Sequence, residues 1–217
     1  MNTDEAIPSE PKKLEYHEVE VKFRFDEAKL NDWKQLVSGL KDKEDFDFKE
    51  FVYVDSDDVY FTRSITTDLE YEFVRYRFSD NKKDKRAELT TKRKLKGGNN
   101  IFREEKNLRV DQNSRDLVTG FVEDLGFSFN FRITKYVQIY RFKDATLPFY
   151  TVIDENGKRD TFIEIEVDEE LLHDMTEDQA WEVIKKYEAI LAPLGVTPQK
   201  RLRKSLFEMY RKENVVS

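Results

Sequence analysis

Two short segments near the ends of the chain alternate charged and apolar residues. The first, residues 18–24, reads EVEVKFR, and the second, residues 161–167, reads TFIEIEV. Because side chains alternate across a β-strand, the charged residues of each segment share one face and the apolar residues share the other. One such strand alone is also typical of a solvated surface. The pair, each with a Glu-x-Glu sequence, favours an acidic wall built from two strands.

Strands with a polar face are also predicted between these two segments. Residues 46–61 are predicted to be extended, with a turn at the acidic segment 55–58. A short strand is predicted at residues 149–154, before an Asn-Gly turn. The polar residues that share a face within one predicted strand are Arg75 and Arg77 (70–78), Thr90, Lys92 and Lys94 (88–95), Arg103, Glu105, Asn107 and Arg109 (101–110), and Lys135 and Arg141 (131–142).

Apolar residues at helical spacing predict four helices. These cover residues 26–40, a segment from Ser114 to Gly126, residues 177–191 and a basic segment at 200–212. In the second helix the stripe formed by Leu117, Val118, Phe121, Val122 and Leu125 is expected to pack in the core.

The predicted elements are seven or eight strands, nearly all antiparallel, with a few flanking helices, and they indicate an α+β fold with a closed β-barrel. Alternation along the strands of such a barrel gives a polar interior. Residues 1–14, with two prolines among charges, are expected to form a flexible leader, and residues 15–213 a single domain.

Composition narrows the chemistry available to this barrel. The chain has 217 residues, of which 38% are charged, and a net charge of −7, which makes nucleic acid an improbable partner. It has no cysteine and two histidines, so a metal would be held by oxygen ligands. Without an apolar run of about 20 residues or a secretory signal, no membrane association and a cytoplasmic location are expected.

A polar interior with both acids and bases suits an anion together with its metal ion. Burying an unpaired charge costs several kcal/mol, so such side chains are expected to pair or to meet a ligand. Carboxylates suit Mg²⁺ or Mn²⁺, and arginine and lysine suit phosphate oxygens. The sequence therefore predicts a polyphosphate with a divalent cation.

The order of these motifs resembles that of the CYTH superfamily, the triphosphate tunnel metalloenzymes. This resemblance implies an eight-stranded antiparallel β-barrel that forms a tunnel, with flanking helices. The resemblance covers about residues 15–210. Members of this superfamily include class IV adenylyl cyclases, thiamine triphosphatases and tripolyphosphatases. The matching elements are Glu18-x-Glu20-x-Lys22, Arg75-x-Arg77, Leu89-Thr90-Thr91-Lys92, Arg103-x-Glu105, Lys135, Asp154 and Glu164-x-Glu166.

The resemblance implies a role for each matching residue. It implies that the metal ligands are Glu18, Glu20, Glu164, Glu166 and Asp154. It implies that the triphosphate is bound by Lys22, Arg75, Arg77, Lys92, Lys94, Arg103, Lys135, Arg141 and Lys204. It further implies catalytic roles for Lys22, Glu105 and Asp154. The sequence departs from the pattern of many cyclase relatives at Val137, where they have an arginine that contacts phosphate. Arg141 has the same strand parity as Val137 and is expected to supply the missing contact.

Four functions remain open at this point. The first is metal-dependent hydrolysis of an inorganic or organic triphosphate, and the second is cyclisation of ATP to cyclic AMP and pyrophosphate. RNA 5′-triphosphatase activity and non-catalytic binding of polyphosphate or nucleotide rank lower. The expected partner is a triphosphate-containing small molecule, and the expected assembly is a monomer or a homodimer.

Overall fold

The computed structural model describes residues 18–63, 73–80, 85–94, 102–111 and 115–212, with backbone alone at 93–94 and 102–104. The predicted leader lies outside these ranges, and the domain boundaries stay a prediction. The strands are β1 (Glu18–Arg24), β2 (Glu50–Thr62), β3 (Phe73–Asp80), β4 (Lys85–Lys94), β5 (Phe102–Val110), β6 (Ser128–Arg141), β7 (Ala145–Asp154) and β8 (Arg159–Val167). The α-helices are α1 (Leu30–Lys41), α2 (Arg115–Asp124), α3 (Glu169–Leu172), α4 (Glu177–Leu191) and α5 (Leu206–Tyr210).

The eight strands form one closed antiparallel barrel. Their order around it is β1-β5-β4-β3-β2-β6-β7-β8, and β8 pairs with β1 to complete the circle. Closure leaves no unpaired sheet edge. The predicted α+β fold, an eight-stranded antiparallel barrel with flanking helices, is confirmed.

The alternation in β1 separates the barrel interior from the main hydrophobic core. Val19, Val21 and Phe23 are at most 3% exposed and belong to a core cluster with residues of α1 and α4. In that cluster Trp33 of α1 stacks on Phe149 of β7, with ring centroids 5.2 Å apart. The two helices therefore cover the outer, apolar face of the strands and leave the charged face of β1 inside.

Aromatic residues and α5 cover one end of the barrel. Tyr60 stacks on Phe131 with centroids 4.4 Å apart, and Phe73 stacks on Phe207 of α5 with centroids 4.6 Å apart.

Ser205 and Glu208 form a capping box at the start of α5. The backbone N–H of Leu202 donates to the carbonyl oxygen of Lys22 at 2.8 Å, which ties this segment to β1.

Two predictions about secondary structure are wrong. The acidic residues 55–58 make no turn, because β2 runs unbroken through them and pairs with β3 on one side and β6 on the other. The basic segment 200–212 is not one helix, since only residues 206–210 are α-helical. Before α5, Arg201 is held in a non-helical conformation by a bidentate ion pair with the buried Glu188 of α4.

Helix α2 packs on the barrel with only part of its apolar stripe. Val118 and Val122 are buried against β2, β3 and β4, whereas Leu117, Phe121 and Leu125 are at least 51% exposed. The prediction that the whole stripe packs in the core is therefore wrong. The predicted cap, Ser114, lies outside the described residues. No helix in the described ranges is both long enough and apolar enough to cross a membrane.

Candidate active site in the barrel interior

The barrel encloses a cavity of about 340 Å³. Its charged lining residues are Glu18, Glu20, Lys22, Arg75, Arg77, Lys92, Glu105, Lys135, Glu164, Glu166 and Glu169. Its other lining residues are Val54, Ser56, Tyr60, Phe73, Ser79, Asn107, Val137, Ile139, Pro148, Tyr150, Ser205, Leu206 and Phe207. The structure thus brings ten of the predicted site residues together around one space.

The two Glu-x-Glu strands are direct neighbours and form an acidic wall of Glu18, Glu20, Glu164 and Glu166. In the pairing of β1 with β8, Glu20 stands opposite Glu166 and Lys22 opposite Glu164. All four glutamates line the cavity. Burial and the charges of Glu18, Glu20 and Glu164 raise the pKa of Glu166 well above its ordinary value. The acidic wall therefore carries more negative charge than the positively charged side chains near it neutralise.

Two lysines bind this acidic wall. Lys22 Nζ lies 2.6 Å from Glu164 Oε1 and 3.6 Å from Glu20 Oε1. Lys92 Nζ donates to both oxygens of Glu18 at 2.6 and 2.8 Å and lies 2.7 Å from Glu105 Oε2. Burial opposes the charge of Lys92, but the carboxylates of Glu18 and Glu105 outweigh it and raise the pKa of this lysine.

Glu105 is the link between the acidic wall and the basic side of the cavity. It lies between Lys92 and Arg75, whose Nη2 is 3.7 Å from Glu105 Oε1. Burial would raise its pKa, but the charges of Lys92 and Arg75 and the hydrogen bonds from Lys92 and Asn107 lower it to about 2. Glu105 is therefore an anion at neutral pH, held within hydrogen-bonding distance of a lysine that also binds the acidic wall.

The chemistry of the acidic wall fits a hard divalent cation, since its donors are all carboxylate oxygens. The described residues do not, however, gather three or more acidic or histidine side chains around one point that could hold a metal. Glu18 and Glu164 are instead each bound to a lysine. Holding a metal would require these side chains to turn from the lysines toward one another.

The basic side of the cavity is formed by Arg75 and Arg77 of β3 and Lys135 of β6. Arg77 donates from Nε and Nη2 to the two oxygens of Asp58 at 2.7 and 2.9 Å, and Lys135 Nζ lies 3.0 Å from Asp58 Oδ2. Asp58 is fully buried. Burial would raise its pKa, but the Arg77 and Lys135 charges hold that pKa far below its ordinary value. A buried anion therefore orients two cations.

Arg75 carries hydrogen-bonding capacity that its neighbours do not use. Its Nη2 donates to Thr90 Oγ1 at 3.0 Å, and that hydroxyl donates to Asn107 Oδ1 at 2.8 Å. Its buried Nε has no hydrogen-bond partner among the described residues, and neither has Ser56 Oγ, which also lines the cavity. Both atoms are buried, so they are unsatisfied polar groups in the lining of the cavity and cost free energy.

Lys135 is a cation of this cavity whose protonated form is disfavoured by its surroundings. Burial and the charge of Arg77 lower its pKa to about 7, although Asp58 opposes the shift. Its Nζ also lies 5.6 Å from the centroid of the Tyr150 ring. Tyr150 in turn donates its hydroxyl to Glu164 Oε1 at 2.6 Å, which connects the basic side to the acidic wall.

Three predicted site residues do not line the cavity. Asp154 ends β7, where its Oδ1 accepts the backbone N–H groups of Asn156 and Lys158 and so caps the turn to β8. Arg141 shares the parity of Lys135 but lies at the end of β6, where it is 52% exposed and pairs with Glu50. Lys204 is exposed just before α5. Arg141 therefore does not fill the place left by Val137, which does line the cavity.

Two further predicted residues can be placed only by their backbone. Lys94 of β4 is in register with Arg103 of β5, and Arg103 is in register with Glu18 of β1. Their side chains lie outside the described part of the chain, so their roles stay predictions.

Sequence reasoning missed Asp58 and Tyr150, which hold the basic side and the acidic wall in place. Asp58 shares the parity of Ser56 and Tyr60 on β2, and this alternation was a signal that could have found it. Tyr150 lies in a predicted strand, but no pattern in that strand singles it out.

A closed antiparallel barrel whose strands turn charged residues inward defines the triphosphate tunnel fold, and solved structures with the same architecture are similar to this chain. The PH1819 protein of Pyrococcus horikoshii OT3 matches with a TM-score of 0.64 and 24% identity over 88% of this chain and 97% of its own. A Bacillus halodurans protein proposed to be an adenylate cyclase matches with a TM-score of 0.55 and 16% identity over 90% and 97%.

A third structure is that of HpAC1 from Hippeastrum, proposed to be an adenylyl cyclase and described as having a dominant triphosphatase activity. It matches with a TM-score of 0.52 and 18% identity over 82% of this chain and 88% of its own. No protein-family model matches the chain, and no curated protein matches it in sequence. At these identities the structural likeness establishes the fold, in agreement with the resemblance to the CYTH superfamily.

Proposed function

We propose that the protein is a divalent-metal-dependent enzyme that hydrolyses a triphosphate inside the barrel. The observation that carries this proposal is the juxtaposition of four glutamates with buried arginine and lysine side chains around one cavity. An anion with its metal ion is a ligand that satisfies both groups of charges. The triphosphatase activity described for the Hippeastrum protein, which has the same fold, supports the assignment.

The basic side chains would bind and orient the phosphate chain. Arg75 and Arg77 can each present a planar fork to phosphate oxygens, and Lys135 can present a point charge. Lys22 and Lys92 would exchange glutamate oxygens for phosphate oxygens as substrate enters. These residues would stabilise the negative charge of the transferred phosphoryl group, which is where most of the catalytic effect in such reactions arises.

The acidic wall would hold Mg²⁺ or Mn²⁺ through Glu18, Glu20, Glu164 and Glu166. Such an ion supplies Lewis acidity that screens the phosphate oxygens. Glu105 would keep Lys92 protonated and close to the phosphates, consistent with the ion pair between them.

Cyclisation of ATP is the second candidate, and its products distinguish it from hydrolysis. The protein is incubated with tripolyphosphate, ATP, GTP or thiamine triphosphate, each with Mg²⁺, Mn²⁺ or excess chelator, and the products are resolved by ion-exchange chromatography. We expect orthophosphate from at least one compound in the presence of metal and none in chelator. Cyclic AMP with pyrophosphate would support the cyclase instead. Full turnover in chelator, or no turnover of any compound, would contradict both candidates.

The binding of triphosphate is expected to weaken as the pH rises above about 7. Lys135 has a pKa of about 7, so it is largely protonated below that pH and largely neutral above it. A bound phosphate raises the pKa of an adjacent lysine, so binding above pH 7 must be accompanied by proton uptake. The Kd for tripolyphosphate should therefore rise up to about tenfold per pH unit between pH 7 and 9.

The measurement is isothermal titration calorimetry between pH 7 and 9, with wild type and variant titrated with the same tripolyphosphate solution so that ionisation of the ligand affects both equally. Repeating it in two buffers with different ionisation enthalpies reports the proton uptake directly. The matched control is Lys135→Arg, which keeps the charge at every pH tested and should flatten the profile. An equal slope in wild type and Lys135→Arg would assign the effect to another group.

A further inference from the structure

One wall of the cavity is apolar, and neither the phosphate-binding residues nor the acidic wall accounts for it. We define it as the apolar wall, formed by Val54 of β2, Val137 and Ile139 of β6, and Pro148 of β7, all of which line the cavity. In the strand pairing Val54 stands opposite Val137, and Ile139 stands opposite Pro148. Val137 and Ile139 are two residues apart on one face. The four side chains therefore form one continuous surface across three strands.

The apolar wall begins where the basic side of the cavity ends. Lys135 precedes Val137 on the same face of β6, and Ser56, which is opposite Lys135, follows Val54 on the same face of β2. On the other border, Thr146 of β7 is opposite Glu166, so Pro148 lies next to the acidic wall. A ligand that fills the cavity thus meets cations, carboxylates and apolar side chains in direct succession.

Exposure along the strands shows how such a ligand would be oriented. On β6 the side-chain exposure rises from 9% at Lys135 through half-buried Val137 and Ile139 to 52% at Arg141. On β2 it rises from a fully buried Asp58 to 49% at Glu50. The opposite end of the barrel is covered by aromatic residues and α5. The apolar wall therefore lies between the buried cations and an exposed end of the barrel.

We propose that the apolar wall binds the organic group of the substrate, which is a triphosphate ester carrying a ring system rather than inorganic triphosphate. This inference rests on the proposed function. An inorganic triphosphate would leave valine, isoleucine and proline side chains facing water and charged oxygens, with no favourable contact. A ring attached to the phosphate chain would cover them and exclude water, which is favourable in proportion to the apolar area covered. The phosphates would enter first and the ring would remain nearer the exposed end.

The test compares tripolyphosphate with ATP, GTP and thiamine triphosphate, using kcat/KM with Mg²⁺ or Mn²⁺. Wild type should prefer at least one of the ring-bearing compounds.

Val137→Arg should lower kcat/KM for that compound by roughly tenfold relative to tripolyphosphate, since it replaces an apolar contact by a charge. Val137→Thr has nearly the same shape as wild type and should shift the ratio in the same direction by about threefold. Tyr136→Arg is the matched control, because Tyr136 is 42% exposed on the outer face of the same strand.

Calorimetric Kd values for the same four compounds without added metal separate this inference from the proposed function. A shifted binding ratio without turnover would contradict the proposed function and support the apolar wall as a binding surface. Two results would overturn the inference and leave the proposed function standing. One is that the wild-type protein turns over tripolyphosphate in preference to the ring-bearing compounds. The other is that both Val137 variants lose kcat/KM equally for every compound. If none of the four compounds binds, both are wrong.

Discussion

The Glu164→Gln variant is expected to lose about a thousandfold in triphosphate turnover, equivalent to about 4 kcal/mol of transition-state stabilisation. Glu164 accepts the Tyr150 hydroxyl and the Lys22 ammonium, both at 2.6 Å, and lines the cavity beside Glu166. Glutamine keeps the size of the side chain and can still accept a hydrogen bond from Tyr150. It removes the charge that the proposed metal ion and Lys22 both require, so activity should be lost while the fold is kept.

Three measurements separate this effect from loss of structure. Phosphate release gives the turnover, thermal unfolding followed by circular dichroism gives the stability, and calorimetry with Mn²⁺ gives the metal affinity. The matched control is Glu170→Gln, which removes the same charge from an exposed position on α3 and should retain wild-type turnover. Turnover of Glu164→Gln within tenfold of wild type at the same metal concentration would contradict the assigned role of the acidic wall.

The face of the strand on which a site residue lies could be predicted from the alternation in the sequence. The period of two is a local property of a strand, so Glu18, Glu20 and Lys22 could be assigned to one face without knowledge of the fold. The same holds for Arg75 and Arg77, and all five side chains line the cavity. What alternation does not specify is the neighbour of each strand. The pairing of Glu20 with Glu166 depends on closure of the barrel, which brings the first and last strands together.

Depth along a strand was also not predictable from alternation. Lys135 and Arg141 have the same parity on β6, yet the Lys135 side chain is 9% exposed and the Arg141 side chain is 52% exposed. The reason is that β6 is long enough to extend from the interior to the end of the barrel. Asp154 was misplaced for a different reason. A short acidic side chain at a strand end satisfies the N–H groups of the following turn, and this local interaction decides its position.

The acidic segment in β2 shows where local preference and tertiary structure disagree. Aspartate and serine favour turns because their side chains bond to nearby backbone groups, and the turn predicted at residues 55–58 rested on that preference. In the barrel, β3 and β6 bring Arg77 and Lys135 to Asp58 from the two neighbouring strands. Two charge-assisted contacts outweigh the turn preference, but both partners are distant in sequence, so the pattern within β2 gave no sign of them.

The Asp58→Asn variant is expected to lower the free energy of unfolding at pH 7 by about 3 kcal/mol. Asp58 is fully buried and pairs with two cations, and removing one partner from such a group leaves uncompensated buried charge at a cost of about 3–5 kcal/mol. Its folded-state pKa lies below that of the unfolded chain, which is about 3.9. The stabilisation is therefore fully present above pH 4 and is lost as the pH falls further.

The consequences of this substitution extend to ligand binding, because Asp58 raises the pKa of Lys135. Without Asp58 that pKa should fall below 7, so Asp58→Asn should weaken the binding of tripolyphosphate at neutral pH and recover part of it at pH 6. Urea unfolding between pH 3 and 7 measures the first effect, and calorimetry measures the second. The matched control is Asp57→Asn, since Asp57 lies next to Asp58 but pairs with the exposed Arg132 and Arg115. Pairs that involve exposed side chains contribute about 0–1 kcal/mol, so equal destabilisation by the two substitutions would show that the buried Asp58 cluster has no special role.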